Sequence, residues 1–476
     1  MHIPLWFLGF CLVSATSGDG AAATPQTVQR LELTFASAED AGGAELRLAP
    51  VYGDRSWAFS ARWDDNQPNS LVMREHMARF GIQGTFYLNR SDEHSHSGPQ
   101  PVFGVNYVRE LLRDGGCIGG HTQTHPKLPD LPTANQVFQE ILANRIEREC
   151  EADQPIVSFA FPGGQFDDKS RPERKEAITR ALVHAGYHHC PYSSFVKGNR
   201  DLLPDQMASG YQVQPGDREV NEEKFNAALN RVLGLPPERR EWRQIFLGVH
   251  AWQHGDEWQK LDAIFAKLAL HRDWWFCNQN QYAAYAWQLA HATLKPDGAA
   301  AGVRRTYVLA RPTIVELGAA VPLTLIVKGR LQGASFDGQT LRPQPHGDGA
   351  LLDLPLPPAE RLPQHIDLAG GPEAAGLQAT LSWNAAKKWL ALALANRGAE
   401  PLTNVRLKVY LPPASAEAII YRRLETLPPG ASDRWEIPVV WDREGDYWQG
   451  GTLYAAAAVD YCAAGQTLRT YAPLSR

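Results

Sequence analysis

A chain of 476 residues has the length of roughly two to four domains and ample room for a large core. With 47 Lys plus Arg against 52 Asp plus Glu it is mildly acidic and carries no basic run, which argues against a nucleic-acid partner. Its 10% of aromatic residues, 14 of them Trp, suit stacking on sugar rings and an ordinary core equally well, so they exclude neither.

The first residues, Met1 to Val13, form an apolar run of signal-peptide length that is too short to span a bilayer, followed by small residues up to Ala23 where cleavage is expected. Residues 1–23 therefore read as an export signal, giving a secreted or periplasmic protein with no integral membrane span. Phe10, not a small residue, precedes Cys11, which disfavours a lipid anchor. Removal of the leader leaves Cys117, Cys150, Cys190, Cys277 and Cys462, an odd set with no C-x-x-C pair. Cys117 and Cys277 lie in apolar runs and read as buried thiols.

Residues 24–55 alternate polar and apolar around Leu31–Phe35 and Leu46–Leu48, the pattern of a lead-in hairpin. From Trp57 the pattern becomes strand and helix in turn. Strands fall at 57–63, 84–88, 117–120, 156–161, 244–249 and 274–277; helices fall at 68–80, 105–113, 135–150, 257–271 and 279–291, and one starts in a capping box at Ser170-Arg-Pro-Glu173. This repeated alternation predicts an α/β domain over 56–295: a distorted parallel βα barrel short of eight units, hardest to follow between Ser193 and Val220. Beyond it the helical period disappears and short alternating runs between Pro- and Gly-rich turns predict a β-rich module (296–375) and a β-sandwich of immunoglobulin or fibronectin type (376–476).

In such a barrel the chemistry belongs at the carboxyl ends of strands. Four clusters fall there: Trp63-Asp64-Asp65-Asn66, Gly119-Gly120-His121-Thr122-Gln123-Thr124-His125-Pro126, Phe161-Pro162-Gly163-Gly164 and His250-Ala251-Trp252. His121 and His125 have a common metal-ligand spacing, but the glycine pair and Pro126 argue against a helix, and Thr122 is not the Glu of a helical zinc protease. A catalytic Zn²⁺, or another divalent transition metal, needs three protein ligands and an open position for water; the two His and one carboxylate of the Asp pair supply that count, and the second carboxylate can take a proton. Pro162-Gly163-Gly164 can offer backbone N–H groups to an oxyanion, His250 can serve as an acid, and Trp63 and Trp252 can stack on a sugar. The Asp pair could alternatively cap the helix that begins near Pro68.

These residues in this order resemble the polysaccharide deacetylase family, the NodB-homology group or carbohydrate esterase family 4, over roughly Ser56 to Leu294; Gly81-Ile-Gln-Gly-Thr-Phe-Tyr87 matches the segment that follows its first motif. The resemblance implies the family's distorted barrel and hydrolysis of an acetyl amide or ester on a carbohydrate. It implies Asp64 as base, Asp65, His121 and His125 as metal ligands, His250 as acid and the Gly163 N–H at the oxyanion. Phe161, Pro162, Trp63 and Trp252 are then candidate substrate contacts. Two positions depart from the family pattern: only Ala160 stands where an Arg orients the base, and Asn66 replaces a Gly after the Asp pair. They leave open an inactive deacetylase-like carbohydrate-binding protein, or a hydrolase of a non-sugar amide.

Overall fold

The computed structural model describes residues 24–474 apart from 91–103, 165, 167, 169, 192–206, 217–218, 249, 252–256, 299–301 and 372–375; the expected leader lies outside the described residues. At its centre, parallel strands run in the order Cys117–Gly120, Gly84–Leu88, Trp57–Asp64, Gln244–Leu247, Tyr211–Val213. Parallel bridges Gly120↔Phe159, Ser158↔His189 and His189↔Ala208 carry the pairing on from the first of these and return it to the segment just before the last. The ring is closed, so the domain is a parallel βα barrel. Strand Trp274–Phe276 pairs with Trp57–Phe59 on the edge that Gly84–Leu88 takes farther along, which wedges it into the bottom of the wall and distorts the barrel.

Burial explains the sequence pattern. Trp57–Asp64 is buried along its whole length, as a central strand packed on both faces must be, and it reads as a continuous apolar run interrupted only by Ser60, Arg62 and Asp64. Part of the interior is polar and linked by hydrogen bonds. Tyr87 Oη meets Gln279 Oε1 and Ser158 Oγ (2.5 Å), Ser158 Oγ lies 2.7 Å from His189 Nδ1, His189 Nε2 lies 2.8 Å from Gln244 Oε1, and Gln244 Nε2 donates to Ser60 Oγ at 3.0 Å. This chain ties neighbouring staves together across the barrel.

Two elements go beyond the sequence expectation. Tyr211–Val213 is a stave inside the stretch that resisted reading, and Glu222–Leu233 is a helix whose N-cap Asn221 accepts from Lys224 N. One expected device is absent: helix Pro172–His184 starts at its proline without a side-chain cap, because Ser170 instead hydrogen-bonds Asp168 Oδ1 (2.6 Å).

The expected N-terminal hairpin is corrected. Gln26–Phe35 and Leu46–Leu48 do not pair with each other; the first lies between Arg304–Pro312 and Leu331–Phe336, the second beside Leu323–Lys328. They enter the two opposed sheets of one sandwich, completed by strands from 293–354 around Leu33, Phe35, Leu309, Leu325, Phe336 and Leu352. The barrel is therefore inserted between two parts of this sandwich. A second sandwich begins at His365–Leu368, ahead of the expected boundary, where that strand runs parallel to Gln466–Pro473. Its two sheets enclose Leu381, Leu392, Val405, Leu407 and Val459.

Helix Ala134–Ala152 of the barrel is welded to this second sandwich by a buried charge cluster. Glu149 Oε1 accepts from Arg145 Nε (2.8 Å) and Ile156 N (2.8 Å), and Oε2 accepts from Arg469 Nη1 (2.9 Å) and Tyr471 Oη (2.6 Å). Arg469 also holds Asp460 through Nε (2.7 Å) and Nη2 (3.1 Å). Two guanidinium groups and two carboxylates thus neutralise one another with essentially no solvent contact.

Candidate metal centre

His121 follows directly on strand Cys117–Gly120, and the glycine pair before it has a packing reason. A Cβ at Gly119 would run into the Tyr87 ring, and one at Gly120 into Tyr187 Oη. The His121 backbone N–H donates to Asn144 Oδ1 (2.9 Å), its carbonyl accepts from Asn89 Nδ2 (2.8 Å), and its Nδ1 donates to Ala160 O (2.8 Å). That last bond fixes the tautomer and leaves the Nε2 lone pair facing the pocket, as metal-binding imidazoles are commonly held. The loop to His125 is braced by Glu140, which accepts from Gln123 N (3.0 Å), Thr124 N (2.8 Å) and Thr124 Oγ1 (2.9 Å). Thr122 (φ 66°) and His125 (φ 55°) take left-handed backbone, which turns the second ring back toward the first; the two centroids lie 5.0 Å apart.

Asp65 also has left-handed backbone (φ 71°), so the chain turns at the end of Trp57–Asp64 and sends the two carboxylates different ways. Asp65 Oδ1 lies 3.4 Å from His121 Nε2 and 3.3 Å from His125 Nε2, and its Oδ2 lies 3.6 Å from His250 Nε2. Asp64 instead receives Arg62: Nε donates to Oδ1 at 3.1 Å and Nη2 to Oδ2. Neither aspartate caps a helix, since Asn69–Ala78 begins after Pro68 without a side-chain cap.

The donor set fits a cation. Ligand atoms of Asp65, His121 and His125 all lie within 4.8 Å of one another. Asp65 Oδ2 and His121 Nε2 are buried without a hydrogen bond, a costly state for polar atoms that an ion would relieve. Burial alone would push the Asp65 carboxyl up, but His121 and His125, with His250 behind them, hold it well below the ordinary carboxylate range. Burial likewise opposes charge on His121, and Asp65 overcomes it and raises that imidazole. Two imidazole nitrogens and one carboxylate oxygen suit zinc and its divalent transition-metal neighbours.

Gly163 is the exposed middle residue of the turn Pro162–Gly164, at φ 58°, three residues past the carbonyl that holds His121. The expected substrate contacts at Trp63, Phe161 and Pro162 are corrected. Trp63 is 0% exposed, with its indole N–H toward Met77 Sδ (3.3 Å), and Phe161 is 3% exposed and stacked on Phe166; Pro162 is buried as well. None offers a face to a ligand. Trp252 lies outside the described residues. Sequence reasoning passed over Arg62, Asn144, Asn89 and Glu140. Only Arg62 carried a signal, since residues two apart on a strand share a face and Arg62 therefore lies beside Asp64.

Residues 63–182 match the family described as polysaccharide deacetylase, so the family resemblance read from the motifs holds for that segment. Among solved structures, the chain is similar to a family 4 carbohydrate esterase from Streptomyces lividans in complex with acetate: 13% identity, 47% of this chain and 92% of that one, TM-score 0.30. It is also similar to the peptidoglycan deacetylase PdaC from Bacillus subtilis: 15% identity, 48% and 91%, TM-score 0.30. A third is BA3943, a family 4 pseudoenzyme from Bacillus anthracis: 14% identity, 50% and 70%, TM-score 0.30. No curated protein sequence matches the chain.

Proposed function

We propose that this chain is a divalent-metal-dependent hydrolase that removes acetyl groups, as amide or ester, from a carbohydrate, and that it works outside the cytoplasm, as its apolar leader suggests. The observation that carries the reading is the convergence of Asp65, His121 and His125 on one small volume, with His250 beside Asp65 and the Asp64 carboxylate near enough to act electrostatically on His121. When bound, the ion would supply Lewis acidity that polarises an acyl oxygen and makes a water molecule acidic near neutral pH. Asp65, His121 and His125 would hold it.

The remaining residues divide the proton transfers. Asp64, oriented by Arg62, keeps a free lone pair on each oxygen and accepts a proton from the attacking water. His250, on the far side of Asp65, protonates the departing amine or alcohol. The Gly163 N–H is the chain's own donor for the developing oxyanion. Asp64 therefore takes one proton as His250 gives one up.

Metal titration and acetate release from acetylated xylan and from N-acetylated chitin oligomers test this reading. One equivalent of zinc should bind, His121→Ala should abolish binding, and Asp64→Asn should bind zinc yet lose about 10²–10⁴-fold in rate. Acetate release that survives both substitutions refutes the assignment. Glycan binding without acetate release, in the zinc-loaded wild type, would instead support the inactive binding protein.

A further inference from the structure

Asp64 is buried and needed in one orientation, and its partner lies on its own strand. Arg62 and Asp64 are two residues apart on Trp57–Asp64, so both side chains leave the same face of the pleat. The guanidinium meets the carboxylate side-on, Nε to Oδ1 and Nη2 to Oδ2, and each oxygen keeps one lone pair for another donor. Its remaining arm is pinned from across the barrel, where Nη1 donates to Pro191 O at 2.6 Å. The rings of Tyr87 and Phe246 lie 5.7 Å and 5.9 Å from the guanidinium carbon and limit its movement. Arg62 is 7% exposed, and Asp64 is the carboxylate it pairs with.

A fork anchored at three points is a poor surface ornament and a good jig. An exposed pair would lose its geometry to side-chain entropy and solvent, whereas this one is buried and braced at both ends. On the opposite wall, Ala160 is 1% exposed and Phe159 is 0% exposed and packed on Tyr187, so neither of these two offers a cation to Asp64. We propose that Arg62 is the positioning residue of this site: it fixes the Asp64 carboxylate from the same strand, so that one strand end carries the jig, the base and, one residue on, a metal ligand. This rests on the hydrolase reading for its kinetic consequence and on geometry alone for its structural one.

The test uses the full chain loaded with zinc, comparing Arg62→Met and Arg62→Lys with wild type. Arg62→Met should still bind one zinc, lower kcat for acetate release from N-acetylated chitin oligomers about 10²-fold with KM within threefold, and regain at least tenfold with millimolar guanidinium ion. Arg62→Lys keeps the charge but offers a single point of contact, and should fall between the two. If Arg62→Met fails to fold, Arg62→Lys alone decides: full kcat in that folded variant overturns the proposal. A crystal structure of the variant gives a readout independent of turnover. The Asp64 carboxylate should leave its position while Asp65, His121 and His125 stay within 0.5 Å, on the order of the precision a working site needs. An unmoved Asp64 overturns the proposal even if wild type releases no acetate, and an inactive wild type with a displaced Asp64 sinks only the hydrolase reading.

Discussion

Replacing Glu149 by Gln keeps the shape of the side chain and deletes one charge from the cluster between the barrel and the second sandwich. Both carboxylate oxygens accept two donors each, so whichever way the Gln amide turns, its NH₂ group faces a pair of donors. Burial would raise the Glu149 carboxyl, but Arg145 and Arg469 outweigh it and hold it down at about 2, against an ordinary 4.5. At about 1.4 kcal/mol per unit, that depression stabilises the fold by roughly 3 kcal/mol. Breaking a buried ion pair typically costs about 3–5 kcal/mol, so two independent routes give the same size. The sign follows from linkage: a depressed carboxyl contributes fully above the unfolded value near 4.5 and loses its contribution as pH falls toward 2. Urea unfolding of Glu149→Gln should therefore show a deficit of about 3 kcal/mol at pH 7 that shrinks steadily as both proteins are taken from pH 5 to pH 3. A deficit under about 1 kcal/mol at pH 7, or one independent of pH, would refute the argument that the cluster acts as a neutral buried unit.

The packing of the barrel and its site sets three further outcomes. Gly120→Ala should cost about 1–3 kcal/mol by overpacking against Tyr187 Oη, and Tyr187→Phe should recover part of it, because that oxygen is buried without a hydrogen bond; a strictly additive double mutant in thermal unfolding would contradict this. Glu140→Ala should weaken zinc binding about 10- to 100-fold in calorimetry by releasing the backbone of Gln123 and Thr124 between the two imidazoles, and an affinity within twofold of wild type would remove Glu140 from the site. Burial lowers His184 to about 4 and His188 and His189 to about 3, so each is neutral in the fold and takes up a proton on unfolding below 6.5. Stability should fall as pH drops from about 6.5 to about 4, by up to about 1.4 kcal/mol per unit for each histidine, and a flat urea-midpoint profile across that window would exclude it.

The barrel was legible because parallel strands buried on both faces leave continuous apolar runs, and because its strand ends concentrate Asp, His and Gly. His121, His125 and one carboxylate of the Asp64–Asp65 pair could be nominated from residue type and order, and the family resemblance pointed to Asp65 within that pair. What escaped is set by contacts between distant segments. The Tyr211–Val213 stave is too short to leave a pattern, and its register comes from its neighbour Gln244–Leu247. The lead-in strands alternate as a hairpin would, but their partners lie far along the chain, so alternation showed their faces and not their pairing. Trp63 looked like a sugar platform because it adjoins Asp64, yet alternation turns it to the other face of the strand, into the core.

The split sandwich sets a timetable for the growing chain. Strand Gln26–Phe35 is made first, but its neighbour Arg304–Pro312 follows roughly 280 residues later, a wait of roughly 15 to 55 s at about 5–20 residues per second. For that interval the ribosome displays a ten-residue strand with both edges open and Leu31, Leu33 and Phe35 uncovered. The barrel has time to close in the meantime. Chaperone demand during synthesis should therefore concentrate on this first strand, an edge seeking any partner until its own is translated.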